Sequence, residues 1–328
     1  MQTRVRPALL LVILAVLTLL AFCVALAVGS VPLPPGKVIA ALAGGGDALT
    51  RTLVLELRLP RAVTAFSVGG LLALAGALMQ VLLRNPLADP YILGVSGGAA
   101  VGALLSLLLG LAGYWVSGSA FLGALISMLI VFVLAHGRGG WTPTRLLLTG
   151  IVVAFGWSAA ISLLLVLSDN ASLRGMLFWL MGDLAYRSSG WLALIVLAAG
   201  LVVCLPFARH LNVLARGETL AEALGVAVRP FSIAIYIAAS LFTAVAVTEA
   251  GAIGFVGLVI PHLLRLVSGS DHRLLLPGAV LAGGSLLMLA DTLARTVIAP
   301  EQLPAGVVTA AIGVPVFLYL LNRARGPL

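Results

Sequence analysis

The stretch ALLLVILAVLTLLAFCVALAV, residues 8–28, contains no charge, no proline and no glycine, and it is preceded by Arg4 and Arg6. A helix rises about 1.5 Å per residue, so crossing the hydrocarbon core takes about 17 to 25 apolar residues. This run meets that length. It also exceeds the usual apolar core of a cleaved signal peptide, about 7 to 15 residues, so it is expected to remain as a first transmembrane helix. Comparable runs recur along the chain at 62–83, 92–112, 119–135, 146–167, 190–207, 231–249, 253–268, 274–296 and 305–322, which makes ten candidate spans. The expected fold class is all-α integral membrane, with one transmembrane domain over residues 1–328 and lipid as the main solvent.

Composition agrees with this reading. Of the 328 residues 62% are hydrophobic and 9% charged, too few polar groups to coat a water-soluble fold of this size. Cys23 and Cys204 both fall within apolar runs and read as small buried hydrophobes. The net charge of +8 comes from arginines scattered over many loops, without the basic stripe and interleaved aromatics that nucleic acid requires. With the N-terminus inside, alternation through ten spans puts twelve of the nineteen basic residues on the cytoplasmic side, as the positive-inside rule asks. Both termini are then cytoplasmic.

Several chemistries lack their residues. Lys37 is the only lysine, and its context PGKV has neither the upstream glycine nor the following Ser/Thr of a P-loop, so ATP is not expected on this chain. His136, His210, His262 and His272 form no spacing that suits a metal. No nucleophile elbow of the GxSxG type stands at a strand-to-helix turn, the paired carboxylates of hydrolytic catalysis are missing, and an enzyme is not expected.

Four strings stand out. LRLPR, 57–61, puts Arg58 and Arg61 at the outer start of the second span, against the charge rule. Arg295, in ADTLAR (290–295), falls at the outer end of the ninth and completes a cationic set suited to carboxylates on a soluble partner or an anionic ligand. RNPLADPYILGVSGG, 84–98, combines a proline-punctuated turn with glycines opening the next span. Its Asn85, Pro86, Gly94, Ser96, Gly97 and Gly98 are candidates for the pathway, because irregular backbone at membrane depth is tolerated mainly around a cavity. The loop 209–229 holds RGETLAEALG, 216–225, which reads as a short amphipathic cytoplasmic helix ended by glycine. Leu220 and Leu224 share one face and Glu218 and Glu222 another, so the element can dock on a partner. GAIGFVGLVIPHLLR, 251–265, places a proline and two ionisable groups near the inner end of a short span.

Together with EQLPAGVVT (301–309) and GVP (313–315), these strings resemble the FecCD-type permease family of bacterial iron-chelate and vitamin B12 importers over essentially the whole chain. The resemblance implies a type II ATP-binding-cassette importer subunit of ten transmembrane helices in the bacterial inner membrane. It implies a second, by default identical, permease subunit, two cytoplasmic ATPase subunits that carry ATP and Mg, and a periplasmic binding protein delivering the chelate. No cofactor is expected on this chain itself. By position in the family's motifs, Arg58, Arg61 and Arg295 would receive acidic residues of the binding protein. Arg216, Gly217, Glu218, Leu220, Glu222, Leu224 and Gly225 would form the coupling element on the ATPase, and the fifth and tenth spans would contribute to the pathway. Iron-siderophore, cobalamin and haem all remain open as cargo. The alternative from another class is an ion-coupled secondary transporter, for which Glu249 and Asp291 are the nearest candidate carboxylates.

Overall fold

The computed structural model describes residues 7–136, 142–185 and 190–323. Arg4, Arg6, Arg138, Arg187 and Arg325, which enter the charge count above, lie outside the described residues. The described chain forms fifteen α-helices and no strand. In order they are α1 (Pro7–Ala27), α2 (Pro35–Leu42), α3 (Ala48–Arg51), α4 (Leu59–Leu82), α5 (Val95–Leu108), α6 (Tyr114–Ala135), α7 (Pro143–Leu167) and α8 (Asn170–Leu180). Then follow α9 (Trp191–Cys204), α10 (Ala208–Leu214), α11 (Glu218–Ala223), α12 (Val228–Ala250), α13 (Val256–Ser268), α14 (His272–Ala294) and α15 (Ala305–Arg323).

Helix α4 is the axis. Its most apolar stretch is 94% buried, against 11% for α7, and α9, α12, α13 and α14 all pack on it. Small residues make that possible, because with lipid as solvent the helices associate through close contact. A Cβ on Gly69 would lie 2.3 Å from the Gly283 carbonyl of α14, and one on Gly76 would lie 1.9 Å from the Gly257 carbonyl of α13. Helices α5 and α6 pair in the same way through Gly98 and Gly123.

The segment Ala48–Leu82 is helical throughout, but residues Thr52–Arg58 form a π-helix, and the Leu59 amide donates to the Val54 carbonyl. Pro60 explains the wide turn. Proline has no amide hydrogen and its ring clashes with the carbonyl four residues back, so a locally wider helix accommodates it where an α-helix would break.

All ten expected spans are helical over most of their length, yet among the described residues seven helical stretches are long and apolar enough to cross a membrane. Val95–Leu108, Val256–Ser268 and Ala305–Leu320 are shorter. The third expected span, 92–112, loses both ends: Pro90–Leu93 form a 3-10 turn, Gly94 takes φ 70°, and residues 109–113 leave the helix. Helix α8 and the short helices α2 and α3 were not anticipated. The sixth span runs on through a 3-10 turn into α10.

Candidate functional site

The features singled out by the sequence gather at the two ends of α4, and non-helical backbone packed against its middle lies between them. At the Arg61 end, Arg58, Arg61 and Arg295 converge. Asp291 of α14, with its side chain 3% exposed, sits among them. Arg61 Nη2 approaches Asp291 Oδ1 at 2.8 Å and its Nε donates to both carboxylate oxygens at 3.0 Å. Arg295 Nε pairs with Asp291 Oδ2 at 3.3 Å, an ion pair without a well-directed hydrogen bond.

The three arginines have different employment. Arg58 is buried, and its guanidinium donates to the carbonyls of Leu26 (2.7 Å), Ala27 (3.0 Å) and Val31. Arg295 Nη2 donates to the Ala25 carbonyl at 3.1 Å. These carbonyls belong to the last turn of α1 and the chain just beyond it; a helix end leaves such acceptors unpaired and carries partial negative charge, so two cations cap it. Arg61 differs in sending Nη1 to Gln302 Oε1, 2.9 Å away at an exposed position. A recess of about 660 Å³ opens here, lined by Arg58, Arg61, Arg295, Glu56, Tyr114 and Gln302. Burial raises the nearby Asp183 carboxyl, while the Ala185 amide and the Arg61 charge oppose the rise.

At the opposite end, α4 closes in a Schellman turn: the Asn85 amide donates to the Gln80 carbonyl and the Arg84 amide to that of Val81. The left-handed position of such a turn usually carries glycine, but here Arg84 holds it at φ 48°. Its side chain reaches Glu218 of α11 at 3.1 Å. Helix α11 ends in a second Schellman turn, with Gly225 at φ 81° and the Val226 amide donating to Ala221. Ala221 is buried, whereas Leu220 and Leu224 are 42% and 62% exposed on the outer face, near Glu222. Arg216 is exposed and Gly217 takes φ 125°, which admits the chain to α11.

The string 84–98 is divided between surface and interior. Asn85 and Pro86 are exposed, and Asn85 Oδ1 accepts from the Leu87 amide. Beyond them the chain turns inward. Asp89 Oδ1 accepts from the Tyr91 amide at 2.8 Å. Tyr91 Oη donates to the Ile253 carbonyl and accepts from the Ile253 amide, both at 3.0 Å, which satisfies backbone in the non-helical stretch 251–255. Both stretches lie at membrane depth: a Cβ on Gly257 would meet Leu72 O and Pro90 Cδ at 2.8 Å, and Leu72 is near the middle of α4. Trp157 of α7 donates to Ser127 of α6, which donates to the Gly94 carbonyl, each at 2.8 Å. A Cβ on Gly97 would press on Trp157 at 2.7 Å, and one on Gly98 on the Gly123 carbonyl at 2.3 Å, while Ser96 is half-buried. Gly94, Gly97 and Gly98 therefore let α5, α6 and α7 close on one another.

Sequence reasoning missed Asp291 as the hub of the arginines, Gln302 as the fourth partner, and Tyr91. The spacing of ADTLAR signals the Asp291–Arg295 pair, four residues apart on one helix face. Nothing local signals Gln302 or the target of Tyr91, whose partners lie 241 and 162 residues away. Asp291 is the buried carboxylate an ion-coupled carrier would need, but two arginines hold it. Glu249, one residue from the end of α12, is half-buried with Oε2 lacking a hydrogen-bond partner among the described residues.

An all-helical membrane body with short helices and non-helical backbone at depth, a recessed cationic end and a helix displayed at the other end defines a multi-pass transport subunit. The chain belongs to the FecCD transport family, whose model matches residues 17–323. It is 42% identical over 294 residues to the uncharacterized ABC transporter permease protein YvrB of Bacillus subtilis, covering 86% of this chain and 82% of that one. It is 41% identical over 323 residues to the vitamin B12 import system permease protein BtuC of Escherichia coli O9:H4, covering 96% and 95%. A solved inward-facing transporter assigned to the metal-chelate ABC type superposes with a TM-score of 0.84 at 32% identity, over 95% of this chain and 98% of its own. The chain is thus an ABC transporter permease of the metal-chelate and vitamin B12 type.

Proposed function

We propose that this permease carries an intact metal chelate from periplasm to cytoplasm across a bacterial inner membrane, with cobalamin first among the cargoes, ferric siderophore second and haem third. The vitamin B12 permeases among its relatives, at 40% identity and above over most of the chain, support that order. The Arg61 end faces the periplasm and the α11 end the cytoplasm, with both termini cytoplasmic. A second, identical permease subunit faces it, and α7 and α15 line the passage between the two. Two ATPase subunits, which hold the ATP and Mg, sit on α11. A substrate-binding protein places acidic residues in the Arg61 recess.

The observation that carries this reading is the pairing of opposite ends. A recess lined by three arginines lies at one end of α4, and a short helix with Leu220 and Leu224 exposed lies at the other, salt-bridged to the turn that closes α4.

Uptake tests it. Proteoliposomes holding this chain, an ATPase subunit and a substrate-binding protein of a FecCD-type system are expected to accumulate cyanocobalamin only with ATP inside the ATPase compartment. Arg61→Ala is expected to weaken capture of that binding protein by about thirtyfold or more, the cost of truncating one partner of a buried charge pair. Accumulation driven by a proton or sodium gradient without ATP, and abolished by Glu249→Gln, would replace this reading with an ion-coupled carrier.

A further inference from the structure

Arg61 is held by unequal partners. Asp291 takes Nε and Nη2, is 3% exposed, and is also paired with Arg295. Gln302 takes Nη1 alone, through a neutral amide oxygen, from an exposed position on the rim of the recess. A carboxylate entering the recess therefore meets one partner that yields and one that does not. An ion pair outcompetes an amide oxygen for the same donor, whereas displacing Asp291 would leave a buried charge unpaired.

Gln302 is well placed to register that exchange, because it stands three residues before α15. The Leu303 amide donates to the Ala294 carbonyl at 3.0 Å and the Gly306 amide to the Gly182 carbonyl at 3.3 Å. A Cβ on Gly306 would lie 2.2 Å from the Met181 carbonyl, so the first turn of α15 rests directly on the chain leaving α8. The bond from Arg61 to Gln302 thus ties the segment entering α15 to α4.

We infer that Gln302 is a positioning residue through which docking is signalled: an acidic side chain of the binding protein displaces it from Arg61 and frees the segment that leads into α15. This rests on the docking reading above. The two are separable, because docking concerns Arg61 and its release concerns Gln302.

The test uses the assembled complex in nanodiscs and the same substrate-binding protein. Gln302→Ala removes the competitor, so affinity is expected to rise by about two- to tenfold. Gln302→Glu supplies a resident carboxylate that competes with the incoming one, so affinity is expected to fall by a similar factor. A residue that merely shapes the surface would not move the two variants in opposite directions. Without the binding protein, Gln302→Ala is also expected to speed hydrogen exchange of the Leu303 and Gly306 amides. If Arg61→Ala weakens capture while both Gln302 variants bind as wild type or both weaken, the relay is wrong and docking stands. If Arg61→Ala binds as wild type, docking falls and the relay with it. Unchanged exchange at Leu303 and Gly306 in Gln302→Ala also overturns the relay.

Discussion

The two ends of α4 both carry arginines engaged with a carboxylate, and they are built oppositely. At one end Arg61, Arg295 and Asp291 are buried together, with side-chain exposures of 14%, 10% and 3%. At the other, Arg84 and Glu218 form a single pair at 38% and 44% exposure, on a backbone position that favours glycine. Burial decides what each is for. A desolvated triad costs too much to rearrange and is rigid, whereas an exposed pair is worth at most about 1 kcal/mol and can yield. The Arg61 end is therefore stiff and the Arg84 end compliant, as the proposed docking and coupling roles require of them.

The largest expected effect strikes the stiff end. Asp291→Leu leaves two arginines facing each other without their counter-charge and should cost on the order of 3–5 kcal/mol, visible as a large drop in the unfolding temperature of the detergent-solubilised protein. Glu218→Ala in the same assay should change stability by less than about 1 kcal/mol. Equal losses would erase the distinction between the ends.

Next in size is loss of assembly. Leu220→Asp combined with Leu224→Asp charges the exposed face of α11 while Ala221 stays packed, so the unfolding temperature should hold while ATPase subunits no longer co-purify. Retained co-purification would move the docking surface away from α11.

The smallest effect falls on the turn that closes α4. Arg84→Gly relieves the left-handed backbone, worth about 0.5–1 kcal/mol of stability, and removes the tie to α11. The variant should melt slightly higher and carry less cargo per ATP hydrolysed. A variant that is both more stable and fully coupled would show that the Arg84–Glu218 pair transmits nothing.

Legibility differed along the chain for physical reasons. Helices such as α1 and α6 were readable because lipid requires uninterrupted apolar length, which is a local property. Helix α11 was readable from its spacing and from Gly225, since caps and amphipathic faces are also local. The 3-10 turn at Pro90–Leu93 and the short α5 were not. PYILG is apolar enough to continue a span, and only the packing of Tyr91 on Ile253 and of Gly150 on Ile92 makes its irregular backbone tolerable at depth. The convergence of Arg58, Arg61 and Arg295 was expected from charge placed against the topology rule, but their separate tasks were not, because those depend on where α1 ends.

By itself the sequence determined that this chain is a many-pass helical membrane protein of the FecCD type, because hydrophobic length, charge bias and local motifs are written in neighbouring residues. Only the tertiary structure decided that Asp291 also holds Arg61, that Arg61 reaches Gln302, and that Tyr91 satisfies the backbone of Ile253. Those pairings join residues 230, 241 and 162 positions apart, and the buried ones form where burial removes water as the alternative partner.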